Sequence, residues 1–119
     1  SHNFSAIIIG QENVGIDIEL QREKIARIAD KFVEHEFDYL NKESAEYIKK
    51  LTVIWGAKEA KYKMCNSRSL SFKDDMKVFN FDLIDGKGKA SVQQDEFEKE
   101  FNFFFEEFEG FTLVYALEK

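Results

Sequence analysis

The spacing of apolar residues changes twice along this chain, and that change limits the fold more than any other feature. Apolar and polar residues alternate over 14–20, which predicts a β-strand. Helical spacing then predicts one helix over 22 to about 40 and a second over 44–64. Alternation returns beyond residue 75. This order indicates an α+β fold, in which an antiparallel sheet packs against two main helices.

Turn residues divide the predicted strands into hairpins. A β-branched run before 14–20 predicts a first strand that pairs with it, and a closing hairpin is predicted around Glu109-Gly110. The last strand is apolar throughout, so it is expected inside the sheet. The other predicted segments are strand 4–10, strand 76–83, the turn "DGKG" at 85–88, the strand "KASVQ" behind it, and strands 101–108 and 111–117.

The composition excludes several classes of protein. The chain has 119 residues, enough for one domain with a buried core, and no apolar run is long enough for a membrane span. Its net charge of −6 argues against a nucleic-acid partner, because phosphate binding needs a basic surface. Cys65 is the only cysteine, so no internal disulfide is available, and a reducing, cytoplasmic location is expected.

Acidic residues stand among apolar ones at two places. Asp17 and Glu19 share one face of the predicted strand, about 7 Å apart along the backbone. Two carboxylates that converge on one point suit Mg²⁺, which binds one or two carboxylates and keeps water or phosphate oxygens as its other ligands. The alternative is a half-exposed strand with a solvated polar face. On the second helix, Glu59 and Lys63 have the spacing of an ordinary salt bridge.

Two motifs together resemble a known family. The stretch "VGIDIE" at 14–19, followed by "WGAKEAKYK" at 55–63, resembles the paired signature of the 4′-phosphopantetheinyl transferases of the Sfp type. The segment "REKIARIADKF" and the closing strand "GFTLVYAL" are similar as well. The resemblance implies the fold of that family and its activity. This activity is the transfer of 4′-phosphopantetheine from coenzyme A to a serine of an acyl or peptidyl carrier protein, as in fatty acid biosynthesis, with Mg²⁺ as cofactor.

The resemblance also implies roles for individual residues. Asp17, Glu19 and Glu59 would hold Mg²⁺, and Glu59 would also act as the catalytic base for the carrier serine. Lys63, the second implied catalytic residue, would lie against the transferring phosphate, and Lys58 would bind another phosphate of coenzyme A.

The sequence departs from the family pattern in three places. Gly56 stands where the family carries Ser or Thr, while Trp55 beside it is expected in the core. Ser1-His2 either matches a family element whose histidine contacts coenzyme A, which would make His2 a coenzyme ligand, or remains from a purification tag. Finally, the family has two similar halves with the coenzyme between them, so residues 1–119 are expected to be a single domain forming the C-terminal half.

A half-enzyme predicts an exposed apolar surface and a homo-oligomer, since the chain holds 13 Phe, more than a small core readily hides. Because its cleft is incomplete, a half-enzyme alone is expected to have little or no transferase activity. For the carrier protein, which is acidic in the family, the spacing of Lys24, Arg27 and Lys31 predicts a basic stripe on the first helix. The alternative for this stripe is an ordinary solvated helix face.

Two other functions compete with the transferase: a non-catalytic acidic interaction domain, and an unrelated Mg²⁺-dependent enzyme acting on phosphates.

Overall fold

The structure, a computed structural model, describes residues 14–64 and 69–118. The predicted strand 4–10, Ser1-His2 and Cys65 lie outside the described residues. Within them, five strands form one antiparallel sheet in the order β1-β5-β4-β3-β2, and two α-helices accompany it. The elements are β1 (Val14–Leu20), α1 (Lys24–Arg27), α2 (Tyr47–Met64), β2 (Met76–Val78), β3 (Lys87–Gln94), β4 (Phe97–Phe108) and β5 (Phe111–Glu118).

This architecture confirms the predicted α+β fold with an antiparallel sheet. Most of α2 lies across one face of the sheet, against β1 and β5, and it is buried on most sides over 51–61, where its apolar residues form the core with the facing side chains of β4. None of the described helices is long and apolar enough to cross a membrane. The largest core side chains include Phe32, Leu51, Ile54, Phe101 and Phe103.

The β4–β5 hairpin forms at the predicted turn. Glu109 and Gly110 both have positive φ, 51° and 83°, as a two-residue turn of the primed type requires. Glycine at the second position removes the steric cost of that conformation. The turn places β5 between β1 and β4, inside the sheet, as its continuous apolar sequence predicts.

The prediction of one continuous helix over 22 to about 40 is wrong in its extent. Helix α1 ends at Arg27, and two 3₁₀ turns follow it, Ala29–Lys31 and His35–Asp38. The chain leaves helical geometry at Ile28, where φ is −109° and ψ is 8°. These turns place Glu36 in the core against Lys58, so tertiary contacts override the local helical spacing.

Helix α2 agrees more closely with its prediction over 44–64, because its preceding turn begins at Ser44. The Ser44 hydroxyl oxygen accepts a hydrogen bond from the Glu46 backbone N–H at 3.1 Å, and the Ser44 carbonyl accepts one from Tyr47 at 3.1 Å. These contacts satisfy backbone donors that the helix start leaves without an intrahelical partner.

Strand β1 turns its polar face, not its apolar one, toward α2. Gly15 and Asp17 are buried on that face, and a Cβ at Gly15 would collide with the Ala60 carbonyl oxygen. The glycine therefore permits the close approach of helix and strand. The alternating apolar residues of β1 lie on the opposite, outer face of the sheet.

That outer face carries exposed apolar side chains near the β4–β5 turn. Ile18 pairs with Leu113, Leu20 with Phe111, and Phe108 with Phe111, so these side chains share one face. We call Ile18, Leu20, Phe108 and Phe111 the outer apolar patch; their exposed fractions range from 39% to 57%. The described residues thus leave an apolar surface open, as predicted.

Candidate functional site

The site lies where α2 crosses β1. Gly56 makes this crossing tight, because a Cβ at this position would approach the Val114 Cγ2 atom to 2.5 Å and the Asp17 Oδ2 atom to 3.7 Å. The departure from the family's Ser or Thr at this position therefore has a steric reason: Val114 fills the space that a side chain would need. Trp55, Glu59 and Lys63 follow at intervals of four residues along the same stripe of the helix.

Asp17 is the most deeply buried acid of the site, with 6% of its surface exposed. Its Oδ2 atom is buried and finds no hydrogen-bond partner in the described structure. The pKa of Asp17 is raised to about 7, mainly by burial and then by hydrogen bonding and charge from the neighbouring Glu19 carboxyl, while Lys63 opposes the rise. Asp17 and Glu19 therefore form a close acid pair in which the ionised form of Asp17 is destabilised.

Lys63 supplies the positive charge beside this pair. Its Nζ atom donates to the Asp17 Oδ1 atom at 3.3 Å and to the Ile16 carbonyl oxygen at 3.0 Å. About half of its side chain, 53%, remains exposed. Lys63 can therefore contact Asp17 and an incoming anion at the same time.

Glu59 lies between Trp55 and Lys63 on the helix stripe and is partly buried. Burial raises its pKa, the positive charge of Lys63 lowers it, and the negative charge of Glu19 raises it. Glu59 thus feels both Glu19 and Lys63. Among residues 14–64 and 69–118, however, no three acids, histidines or cysteines come close enough together to hold a metal ion. The three-ligand set of Asp17, Glu19 and Glu59 stays a prediction.

The pair itself fits a divalent cation. Asp17 offers a buried oxygen that finds no donor among the described residues, and its pKa stays raised by burial and by Glu19 although Lys63 lies beside it. Mg²⁺ needs only one or two protein carboxylates, because water and phosphate oxygens complete its shell. A bound cation would replace the proton that Asp17 otherwise retains near neutral pH.

Lys58 requires a correction. Its side chain is completely buried, and its Nζ atom donates to the carbonyl oxygens of Phe32 at 2.6 Å and Phe72 at 2.8 Å. It also forms an ion pair with the Glu36 Oε2 atom at 2.9 Å. With three acceptors in the core, Lys58 is not placed to bind a phosphate of coenzyme A. The reason is geometric: residue 58 points away from the stripe that carries Glu59.

Two residues of this region were not predicted from the sequence. Glu36 is completely buried, accepts a hydrogen bond from the Val78 backbone N–H at 2.7 Å and neutralises Lys58. Trp55 was assigned only to the core, yet its indole N–H donates to the Glu19 Oε2 atom at 2.9 Å. A signal for Trp55 existed, since it precedes Glu59 by one helical turn.

A cavity of about 270 Å³ opens beside Glu19 and Trp55. Its other walls combine apolar and basic side chains: Leu20, Arg22, Lys24, Ile25 and Ile28. The predicted basic stripe is altered by the early end of α1. Lys24 and Arg27 belong to α1 and Lys31 to the following 3₁₀ turn, but all three are exposed. His2, the predicted coenzyme ligand, lies outside the described residues.

A comparison with the sequence models of known protein families gives a match that includes the strand and the helix of this site. The sequence model of the 4′-phosphopantetheinyl transferase superfamily matches residues 13–116, which include β1, α2 and the closing strands. The chain belongs to the 4′-phosphopantetheinyl transferase superfamily. This superfamily comprises transferases that use coenzyme A as a substrate, so both the predicted family and its fold are confirmed. No curated protein sequence matches the chain significantly.

Proposed function

We propose that this chain transfers 4′-phosphopantetheine from coenzyme A to a serine of an acyl or peptidyl carrier protein with the help of Mg²⁺. The observation that supports this best is the acid pair of Asp17 and Glu19 beside Lys63. It combines a buried carboxylate oxygen that no donor in 14–64 or 69–118 reaches with a half-exposed ammonium group. Phosphoryl transfer depends mainly on such positioning and charge neutralisation.

Asp17 and Glu19 would hold the metal ion in this proposal. When bound, Mg²⁺ neutralises the negative charge of the coenzyme A pyrophosphate and orients it for reaction. Lys63 adds a second positive charge, and its exposed ammonium would donate to the phosphate that is transferred. Glu59 would complete the metal shell once the coenzyme draws the acids together.

Glu59 would also accept the proton of the carrier serine, directly or through one water molecule. The serine oxygen then forms a bond to the phosphorus next to pantetheine, the pyrophosphate P–O bond breaks, and adenosine 3′,5′-bisphosphate leaves. Burial raises the pKa of Glu59 and so makes this carboxylate a stronger base. Lys63, at the next turn, keeps the ionised form accessible.

The carrier protein would approach from the side of α1. The cavity beside Glu19 offers apolar walls with Arg22 and Lys24 among them, and Arg27 and Lys31 are exposed nearby in sequence. An acidic partner needs such a local basic surface, because the chain as a whole carries a net charge of −6.

The single cysteine suits a reducing compartment, and we place the reaction in the cytoplasm.

We also infer that this domain works as one half of a larger assembly. The support is the outer apolar patch, which opens to solvent on three adjacent strands. A second copy of this chain would cover it, so sedimentation at rising concentration should show self-association. Phe108→Glu should abolish that association. Ile84→Glu is the control, since Ile84 is 94% exposed but is not part of the patch; equal effects of both variants would refute the assignment.

The activity test incubates the chain with coenzyme A, Mg²⁺ and a panel of acyl and peptidyl carrier proteins. Mass spectrometry should show one added phosphopantetheinyl group on a carrier serine at concentrations where the chain self-associates and little or none where it is a single half-enzyme, and Asp17→Asn should remove this gain. A calorimetric Mg²⁺ titration with coenzyme A separates the alternatives. An acidic interaction domain would bind neither, whereas an unrelated phosphate enzyme would bind both and modify no carrier.

A further inference from the structure

Trp55 makes a contact that core packing does not require. It is the only tryptophan of the chain, and its indole N–H donates to the Glu19 Oε2 atom at 2.9 Å. A buried indole N–H needs an acceptor, but a backbone carbonyl or water would serve equally well. The acceptor here is one of the two acids assigned to the metal. A hydrogen bond to an ionised acceptor is also stronger than one to a neutral group.

The indole ring is itself held from two sides. The Phe32 ring lies 5.1 Å from it at an interplanar angle of 75°, and the Phe72 ring lies 5.3 Å from it at 52°. The carbonyl oxygens of both phenylalanines accept hydrogen bonds from the buried Lys58 ammonium. Lys58 thus ties together the two walls that fix the ring. Glu36 in turn neutralises Lys58 within the core.

We infer that Trp55 is a positioning residue that holds the Glu19 carboxylate in place for the metal ion, with Lys58 and Glu36 fixing its surroundings. The inference rests on the proposed function, because it concerns an acid assigned to Mg²⁺. The indole binds the Oε2 atom of Glu19, so the second oxygen of this carboxylate can face Asp17 and a cation.

The main test replaces Trp55 by Phe, which keeps an aromatic ring between Phe32 and Phe72 but removes the N–H. Binding of Mn²⁺, a spectroscopic probe for the Mg²⁺ site, is measured by electron paramagnetic resonance with coenzyme A present. Loss of a hydrogen bond to a metal ligand should weaken binding about tenfold. The control is Tyr62→Phe, which removes a polar hydrogen from a ring on the same helix that also packs on Phe72.

A second measurement avoids any effect of Trp55→Phe on folding. The single indole gives one N–H signal in heteronuclear NMR, and this signal should move and exchange faster with solvent in Glu19→Ala. Glu23→Ala, which removes an exposed carboxylate of the following segment, should leave the signal unchanged. If the indole N–H signal is unchanged in Glu19→Ala, the inference is overturned.

The outcomes separate this inference from the proposed function. If the unaltered chain binds no Mn²⁺ with coenzyme A present, the proposed metal role fails and the inference fails with it. If the unaltered chain binds Mn²⁺ and Trp55→Phe binds it within about twofold as tightly, only the inference is overturned. Weaker binding by Trp55→Phe together with unchanged binding by Tyr62→Phe supports both.

Discussion

Two lysines of helix α2, five positions apart, each form an ion pair with an acid, but the two pairs differ in burial and in hydrogen bonding. Lys58 is completely buried and its ammonium is saturated by Glu36 and two carbonyl oxygens. Lys63 is half exposed and touches Asp17, one of whose oxygens has no partner in the described structure. We call Lys58 and Glu36 the closed pair, because the hydrogen bonds of its ammonium group are complete. We call Lys63 and Asp17 the open pair, because it can bind a further ligand. A lysine and an acid therefore indicate function only where their hydrogen bonding is incomplete.

The strongest test of the closed pair is Glu36→Ala. It leaves the Lys58 charge buried without a counterion, which should cost about 3–5 kcal/mol of unfolding free energy. Urea denaturation measures the loss. The double variant Glu36→Leu/Lys58→Met should recover most of it, because it removes both charges together. A small loss of unfolding free energy in Glu36→Ala would mean that Lys58 is neutral or hydrated. The two lysine–acid pairs would then differ less than we infer.

The open pair should show the opposite response in Asp17→Asn. The pKa of Asp17 is about 7 in the folded chain against an ordinary value of 3.8, so the folded state retains a proton that the unfolded state has lost. Stability should therefore fall as pH rises from about 4 to 7. Asp17→Asn removes this dependence and should stabilise the chain at pH 8 by on the order of 2 kcal/mol.

Urea denaturation at several pH values checks this prediction. Glu96→Gln is a control, since Glu96 is an exposed acid of the β3–β4 turn. A parallel pH dependence of Asp17→Asn and the unaltered chain would show that Asp17 is not the group responsible. At the same time the variant should lose the transfer of phosphopantetheine, so function and stability would change in opposite directions.

A smaller effect is expected where α2 approaches β1 at the open pair. Gly56→Ser restores the residue type of the family but adds a Cβ beside the Val114 Cγ2 atom, at 2.5 Å before relaxation. The strain should cost about 1–2 kcal/mol in urea denaturation. The double variant Gly56→Ser/Val114→Ala should recover part of that loss by making space. No loss in the single variant would show that the crossing is looser than described.

The smallest change in stability is expected for Lys63→Met. The ion pair with Asp17 is half exposed, so its loss should alter the unfolding free energy by less than about 0.5 kcal/mol at pH 6. Transfer to the carrier should nevertheless fall steeply, because the transferring phosphate loses a positive charge. Lys58→Met, measured in the same way, should destabilise far more. Similar stability losses in both variants would erase the contrast between the two lysines.

Local patterns in the sequence were sufficient for most of the elements. The alternation in β1 and the turn at Glu109-Gly110 each depend on neighbouring residues, and the structure shows both as predicted. Apolar residues at helical spacing also predicted α2, although its buried positions extend beyond the predicted apolar side to Lys58 and Lys61. The same reasoning failed over 22 to about 40, because local helical spacing does not reveal that the segment breaks at Ile28 and packs Glu36 against Lys58, far along the chain.

The elements that carry the candidate residues were predicted for the same reason. The sequence by itself determined the family, the strand that carries Asp17 and Glu19, and the helix that carries Glu59 and Lys63. The reason is that the spacing of motifs and the repeat of apolar residues depend only on positions close together in the chain. Only the tertiary structure decided that Lys58 belongs to the core and that Trp55 holds Glu19. The direction in which a side chain is buried depends on which distant segments pack around it, and adjacent helix positions face different segments.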